Sequence, residues 1–227
     1  MIVTIDGPAG AGKSSAAREL AQRLGFQFLD TGAMYRAMAW AILNRGVDPE
    51  DHQAVLAALP DIKIDMSDDQ VLVDGRNVTQ KLRSAEVSQH ASIVAAIPEV
   101  REVLVKLQRT IAATGDFVCE GRDQGTVAFP DAECKLFLTA APEVRAQRRW
   151  QEMQASDPNV QLDNVIAEQK IRDLRDETRL TGRLVKADDA IEVRVDNLSL
   201  DEVARRLEQL ARQKLAASAT GQASGSG

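Results

Sequence analysis

Short apolar runs typical of buried strands alternate along the chain with longer stretches whose apolar residues have helical spacing. The sequence predicts core strands at 1–6, 26–30, 116–121, 134–140 and 190–196. It predicts helices near 33–45, 51–59, 84–96, 99–114, 142–155, 161–180 and 200–214. Because strands that alternate with helices form parallel sheets, we expect an α/β fold with a parallel β-sheet flanked by helices.

Two parts of the chain depart from this alternation. Residues 61–82 contain the short alternating runs Ile62/Ile64 and Val71/Val73, separated by turn-forming SDD and DG, which predicts a small antiparallel β insertion. The tail 215–227 consists mainly of small and polar residues and is predicted to be disordered. The main α/β domain is therefore expected to comprise 1–60, 83–156 and 184–214.

The stretch GPAGAGKSS, at 7–15, lies between the first predicted strand and a helix that ends before Gly25. It fits G-x-x-x-x-G-K-[ST], the P-loop pattern, whose backbone N–H groups form an anion-binding nest at a helix N-terminus. We expect Lys13 to contact the β- and γ-phosphates of ATP, and the Ser14 hydroxyl to bind Mg²⁺. The residues predicted to bind ATP are Gly7, Pro8, Ala9, Gly10, Ala11, Gly12, Lys13, Ser14 and Ser15. The alternative, a glycine-rich turn that binds nothing, is disfavoured because the motif and both flanking elements agree.

Three further segments combine arginines with acidic or hydroxyl residues. LDTGAMYR carries Arg36 and EGRDQGTVAFPDA carries Arg122, each just after a predicted strand, where open α/β sheets bind ligands. KIRDLRDETR places a charged stripe on one helix face, formed by Arg172, Arg175, Asp176 and Arg179. Each segment has a structural alternative: a solvated helix residue, a plain turn and a salt-bridged surface. Their occurrence beside a P-loop favours a second phosphate site, since phosphoryl transfer needs both phosphates held and neutralised.

Composition narrows the class of protein. The chain has 227 residues, of which 44% are hydrophobic, as is ordinary for a globular domain. Its formal net charge of −6 disfavours a general nucleic-acid binder, because the phosphate backbone is also negative. No apolar run approaches a membrane span, and MIVTIDG lacks a signal-peptide pattern. We therefore expect a cytoplasmic monomer whose partners are small-molecule nucleotides, with neither nucleic acid nor membrane among them. Cys119 and Cys134 are expected to be buried and reduced.

At this point the sequence resembles the bacterial cytidylate kinases, a family of nucleoside monophosphate kinases. The resemblance covers about residues 2–214 and rests on TIDGPAGAGKSS, LDTGAMYR, ASIVAAIPEVR, EGRDQGTVAFPDA, KLFLTA and RDLRDETR. It implies a P-loop kinase fold, in which 61–82 is a nucleotide-binding subdomain and 157–183 a helical lid. Glu120 stands where many members have aspartate, Thr31 where serine is usual, and Arg183 where proline is common.

The resemblance also implies roles for individual residues. Thr31, Arg101 and Asp123 stand where the family contacts cytosine; Ser92, Arg172 and Asp176 where it meets the sugar; Arg36, Arg122 and Arg179 where it holds the acceptor phosphate. The chemistry agrees for the base, because a carboxylate accepts from the cytosine amino group. Glu120 is a candidate to hold Mg²⁺ through water. The residues expected to be catalytic are Lys13, Arg36, Arg122 and Arg179.

The sequence therefore predicts an enzyme that transfers the γ-phosphoryl group of ATP to CMP or dCMP with Mg²⁺. Two alternatives remain: another small-molecule P-loop kinase, and a non-enzymatic nucleotide switch. The arginine-rich segments argue against the switch, which needs no second phosphate site.

Overall fold

The computed structural model describes residues 1–67, 70–155 and 157–223. Within them the strands are β1 Ile2–Asp6, β2 Gln27–Asp30, β3 Ile64–Met66, β4 Val71–Val73, β5 Arg76–Asn77, β6 Phe117–Glu120, β7 Cys134–Thr139 and β8 Ile191–Arg194. The α-helices are α1 Lys13–Leu24, α2 Thr31–Asn44, α3 His52–Ala58, α4 Ala85–Val94, α5 Pro98–Ala112, α6 Pro142–Gln154, α7 Leu162–Thr178 and α8 Leu200–Ala223. No helix in this part of the chain combines the length and apolar character needed to span a bilayer.

The main sheet is parallel and has the strand order β2-β6-β1-β7-β8. In its register Glu120 lies opposite both Ile5 of β1 and Asp30 of β2, so the carboxyl ends of three strands meet at one edge. After β1 the chain forms β2 on one side of that strand, and it later forms β7 and β8 on the other side. This change of direction opens a crevice at the carboxyl ends of the strands. The predicted α/β class and parallel sheet are confirmed, and β3–β5 form the predicted antiparallel insertion.

The core lies on both faces of this sheet. Side chains alternate along β6, so that Cys119 belongs to one apolar cluster and Val118 to the other. The first cluster includes Met34 and Leu104 from the helices α2 and α5. The second includes Leu20 of α1, with α8 covering the same face. Helices on both faces explain why the strands are apolar throughout rather than alternating with polar residues. Cys119 and Cys134 are both buried and free.

The structure differs from the sequence prediction at the C-terminus. The last helix continues to Ala223, so residues 215–223 are helical where disorder was expected; residues 224–227 of that tail lie outside the described residues. Leu215 packs against the second apolar cluster, and lengthening an existing helix avoids the cost of nucleation. The sequence also gave no sign of the π-helix at Gln124–Ala128.

Candidate active site

The P-loop connects β1 to α1 at the carboxyl edge of the sheet. Gly7, Gly10 and Gly12 have φ values of 148°, 76° and 82°, which L-residues with side chains rarely adopt. At Gly10 a Cβ atom would lie 2.9 Å from the Arg145 carbonyl oxygen. The turn therefore favours glycine at all three positions, and at Gly10 the close approach of α6 also requires it.

Lys13 begins α1 and is almost completely buried. Its Nζ donates a hydrogen bond of 2.8 Å to the Pro8 carbonyl oxygen, so the side chain folds back over the P-loop. Burial, followed by the nearby charge of Arg122, lowers the pKa of Lys13 to about 7. A buried amine under these two influences gains a large stabilisation from any polyanion that reaches it.

Hydroxyl and carboxylate oxygens meet beside the P-loop. The Ser14 hydroxyl donates to Glu120 Oε1 at 2.9 Å. Burial, followed by the charge of Asp30, raises the pKa of Glu120. Asp30 caps α2 through Ala33 N and forms a 3.1 Å ion pair with Arg36. The carboxylates of Asp30 and Glu120 repel each other, and a cation between them would relieve this repulsion. Because carboxylate and hydroxyl oxygens are hard ligands, this group of side chains suits a divalent cation such as Mg²⁺.

A cavity of about 100 Å³ opens next to this edge, and it contains the residues predicted to bind the cytosine base. The guanidinium of Arg101 forms a buried ion pair with Asp123 and lies 5.3 Å above the centre of the Tyr35 ring. The Thr31 hydroxyl donates to the Glu120 carbonyl oxygen at 2.6 Å. The structure thus brings Thr31, Arg101 and Asp123, which are far apart in the sequence, to one pocket.

Of the charged stripe at the end of α7, Arg172, Asp176 and Arg179 line this cavity, whereas Arg175 lines a second cavity beside it. Arg122 Nε donates to Asp176 Oδ2 at 2.8 Å, and Arg175 Nη1 donates to the Ser92 hydroxyl at 3.1 Å. Although burial alone would raise the pKa of Asp176, the guanidiniums around it, Arg122 foremost, lower it. The alternative of a solvated surface stripe is therefore wrong for Asp176 and Arg179, which are buried.

The loop after α7 covers the base pocket. Arg179 is buried and lies 3.8 Å from Asp123 Oδ1 and 3.7 Å from Asp176 Oδ1. A Cβ atom on Gly182, whose φ is 61°, would collide with the Arg101 guanidinium and the Asp123 carboxylate. Only a glycine can therefore approach this pair so closely.

A second, larger cavity of about 360 Å³ extends from the P-loop to α6 and α7. The two cavities share the side chains of Arg36, Glu120, Arg122, Arg149 and Arg172. Among the described residues Arg172 Nε is buried without a hydrogen-bond partner, and burial, then the charge of Arg122, lowers the pKa of Arg172 to about 10. The junction between the cavities therefore carries positive charge that the surrounding protein only partly compensates.

Sequence reasoning missed several residues of the site. Arg149 lines both cavities, and Tyr35 lines the base pocket. Arg149 has no motif around it, and its neighbour Arg148 instead donates to the Val195 carbonyl oxygen at 2.7 Å. Tyr35 is part of LDTGAMYR and lies four residues after Thr31, a spacing that places two residues on the same face of a helix. This spacing would have identified Tyr35 as a residue of the site.

Comparison with known proteins identifies the family of this chain. The family model "Cytidylate kinase" matches residues 3–213. The chain is 44% identical to the cytidylate kinase of Rhodopirellula baltica, over 99% of this chain and 98% of that protein. It is 48% identical to the cytidylate kinase of Corynebacterium glutamicum, over 89% of this chain and 90% of that protein. A gluconokinase structure from Sinorhizobium meliloti is similar over 99% of this chain and 97% of its own, with 17% identity and a TM-score of 0.48. The family model and the two cytidylate kinases show that the chain belongs to the cytidylate kinase family.

Proposed function

We propose that this protein transfers the γ-phosphoryl group of ATP to CMP or dCMP, giving ADP and CDP or dCDP. Phosphoryl transfer from ATP to CMP is the known reaction of the family. The observation that carries the proposal for this chain is the junction of the two cavities at Arg36, Arg122, Arg149 and Arg172. Two anions that enter from opposite sides would meet there, as an in-line transfer between phosphates requires.

The donor occupies the larger cavity in this proposal. The P-loop N–H groups and the N-terminus of α1 favour the triphosphate. Lys13 Nζ leaves the Pro8 carbonyl oxygen and contacts the β- and γ-phosphates, where its charge offsets the charge that develops on the leaving group. Because the backbone donors of the P-loop are fixed before ATP arrives and Lys13 moves when ATP binds, little reorganisation is needed at the moment of transfer.

Mg²⁺ fits the oxygen ligands at the same edge. The Ser14 hydroxyl would hold it directly and the Glu120 carboxylate through water, since these atoms already lie 2.9 Å apart. A site of so few protein ligands is typical of Mg²⁺, which keeps several waters and the substrate phosphates. When bound, the ion neutralises the β- and γ-phosphates of ATP.

The smaller cavity holds the acceptor. Asp123 accepts from the cytosine amino group, Arg101 donates to the ring nitrogen and carbonyl oxygen, and Thr31 completes the polar wall. Ser92, Arg172 and Asp176 face the sugar, where a 2′-hydroxyl is optional in this proposal. Arg36, Arg122 and Arg179 hold the acceptor phosphate. No side-chain base is needed, because the attacking phosphate oxygen is already anionic.

Residues 157–183 act as a lid in this proposal. Of these, α7 contacts both α4 and α6, and its side chains reach the acceptor cavity through Arg172 and Asp176. Because this lid carries substrate ligands, bound substrates favour its closed position. Closure excludes water, which would otherwise hydrolyse ATP.

A coupled ADP-release assay tests the proposal. The purified protein is given ATP, Mg²⁺ and one acceptor at a time: CMP, dCMP, UMP, AMP or none. We expect rapid ADP release with CMP and dCMP and slow release with the others. Lys13→Met, purified in parallel, controls for contaminating kinases and is expected to lose nearly all activity. Equal kcat/KM for CMP and UMP, or no turnover of CMP, would overturn the proposal.

A further inference from the structure

Asp6 ends β1 directly before the P-loop, and its carboxylate is bound by the backbone of a distant segment. Only 4% of the residue is exposed. Oδ1 accepts from Gln124 N and Oδ2 from Gly125 N, each at 2.8 Å. Neither cavity includes Asp6 in its lining. Both oxygens are thus used to hold the chain, and neither faces the substrates.

The segment that Asp6 holds is the one that presents Asp123 to the base pocket. Asp123 has φ −146° and ψ 26°, and its carbonyl oxygen accepts from Val127 N at 2.8 Å and Ala128 N at 3.2 Å, inside the π-helix turn. On the other side a Cβ atom at Gly125 would lie 3.1 Å from both Thr4 Oγ1 and Lys135 Cδ. The segment is therefore pressed against β1 and β7 and fixed there by Asp6.

A carboxylate in this position is costly. Burial, partly offset by the Gly125 and Gln124 hydrogen bonds, raises the pKa of Asp6 to about 7. The charged and titratable groups that face it are Asp123 in the π-helix segment, Lys13 of α1 and the Cys119 thiol of β6. An apolar residue would avoid the cost but would leave two buried N–H groups without acceptors, and a carboxamide could satisfy only one of them.

We propose that Asp6 is a positioning residue for base recognition, which fixes the Gln124–Gly125 backbone to the start of the P-loop and thereby aims Asp123 at the acceptor base. This inference rests on the proposed function. A shift of Asp123 by a fraction of an ångström would weaken a hydrogen bond to the base without touching the ATP site.

The matched pair Asp6→Asn and Glu133→Gln tests the assignment. Glu133 Oε2 accepts from Ile2 N at 2.7 Å, at the opposite end of the same strand, so Glu133→Gln makes the same chemical change away from the site. We expect Asp6→Asn to raise the KM for CMP by about 10- to 100-fold. It should also reduce the ratio of kcat/KM for CMP to that for UMP, and leave the Kd for ATP within about twofold. Glu133→Gln should leave all three quantities unchanged. Asp6→Asn with a parental KM for CMP, or with CMP and ATP binding weakened equally, would overturn the assignment.

Hydrogen exchange gives a second readout that does not depend on turnover. In the parent protein the Gln124 and Gly125 amides should be among the slowly exchanging ones, and their exchange should accelerate in Asp6→Asn while that of β7 stays unchanged. Rapid exchange of both amides in the parent would overturn the positioning role even if CMP is a good substrate. A parent protein that protects these amides but does not phosphorylate CMP would instead refute the proposed function.

Discussion

Arg122 Nε donates to Asp176 Oδ2 at 2.8 Å, which joins the end of β6 to the lid helix α7 across the acceptor cavity. Both side chains are predicted substrate ligands, and without substrate they satisfy each other. The pair keeps a buried carboxylate charged and orients the guanidinium with hydrogen-bond donors left for a phosphate. Substrate binding at this point therefore exchanges one set of ionic contacts for another.

Asp176→Ala tests the acceptor side of this exchange. We expect the KM for CMP to rise by roughly 10-fold or more, because a sugar contact is lost and Arg122 is no longer oriented. The Kd for ATP should change by less than about twofold. Glu177→Ala is the matched control, since Glu177 is the next residue on the same helix and is exposed. An increase in the Kd for ATP as large as that in the KM for CMP would contradict the assignment.

Asp123→Asn tests base selectivity with almost no change in volume. The amide can still accept from the cytosine amino group, but it can also donate to the O4 of uracil, which the carboxylate repels. The ratio of kcat/KM for CMP to that for UMP should therefore fall by about 10-fold or more. The ratio is independent of the folded fraction, which matters because Arg101 loses its ion-pair partner. Asp131→Asn, an exposed position in the following connection, should keep the parental ratio.

The sequence predicted those parts of the site that depend on local pattern. The P-loop follows from glycine spacing between a strand and a helix, and the strand ends marked Asp30 and Glu120 as neighbours of a ligand crevice. Asp6 and Arg149 could not be found in this way. The partners of Asp6 lie 118 and 119 residues away, and backbone N–H groups leave no trace in a sequence. Arg148 and Arg149 are adjacent, and only the rotation of α6 decides which of them faces the cleft.

The pKa of Lys13 predicts proton uptake when ATP binds. In the empty protein Lys13 has a pKa of about 7, so it is mainly neutral at about pH 8. Bound phosphates raise that pKa, because a nearby negative charge favours the protonated amine, and the proton comes from the buffer. Nucleotide phosphates, whose second pKa is about 6, are already ionised at that pH.

Calorimetric titration of ATP at about pH 8, in buffers of different ionisation enthalpy, measures this uptake. The parent should take up a substantial fraction of one proton. Lys13→Arg stays charged throughout this range and should take up almost none. A binding enthalpy of the parent that does not depend on the buffer would show that Lys13 is already protonated in the empty protein.

Arg179→Ala tests the residue expected to act most strongly in the transition state. Its side chain is 3% exposed and, among the described residues, its Nη2 has no hydrogen-bond partner. Burial, followed by the charge of Arg101, lowers its pKa, and its two carboxylate neighbours lie beyond hydrogen-bonding distance at 3.8 and 3.7 Å. A buried cation with a free donor is stabilised most by the arrival of negative charge, and that charge is greatest at the transferring phosphoryl group.

We therefore expect that Arg179→Ala lowers kcat at saturating ATP and CMP by about 100-fold or more, with a smaller change in the KM for CMP. Lys186→Ala is the control, because Lys186 is an exposed cation that follows the same loop. A kcat within twofold of the parent would show that Arg179 only closes the base pocket, and Arg36 and Arg122 would then hold the acceptor phosphate without it.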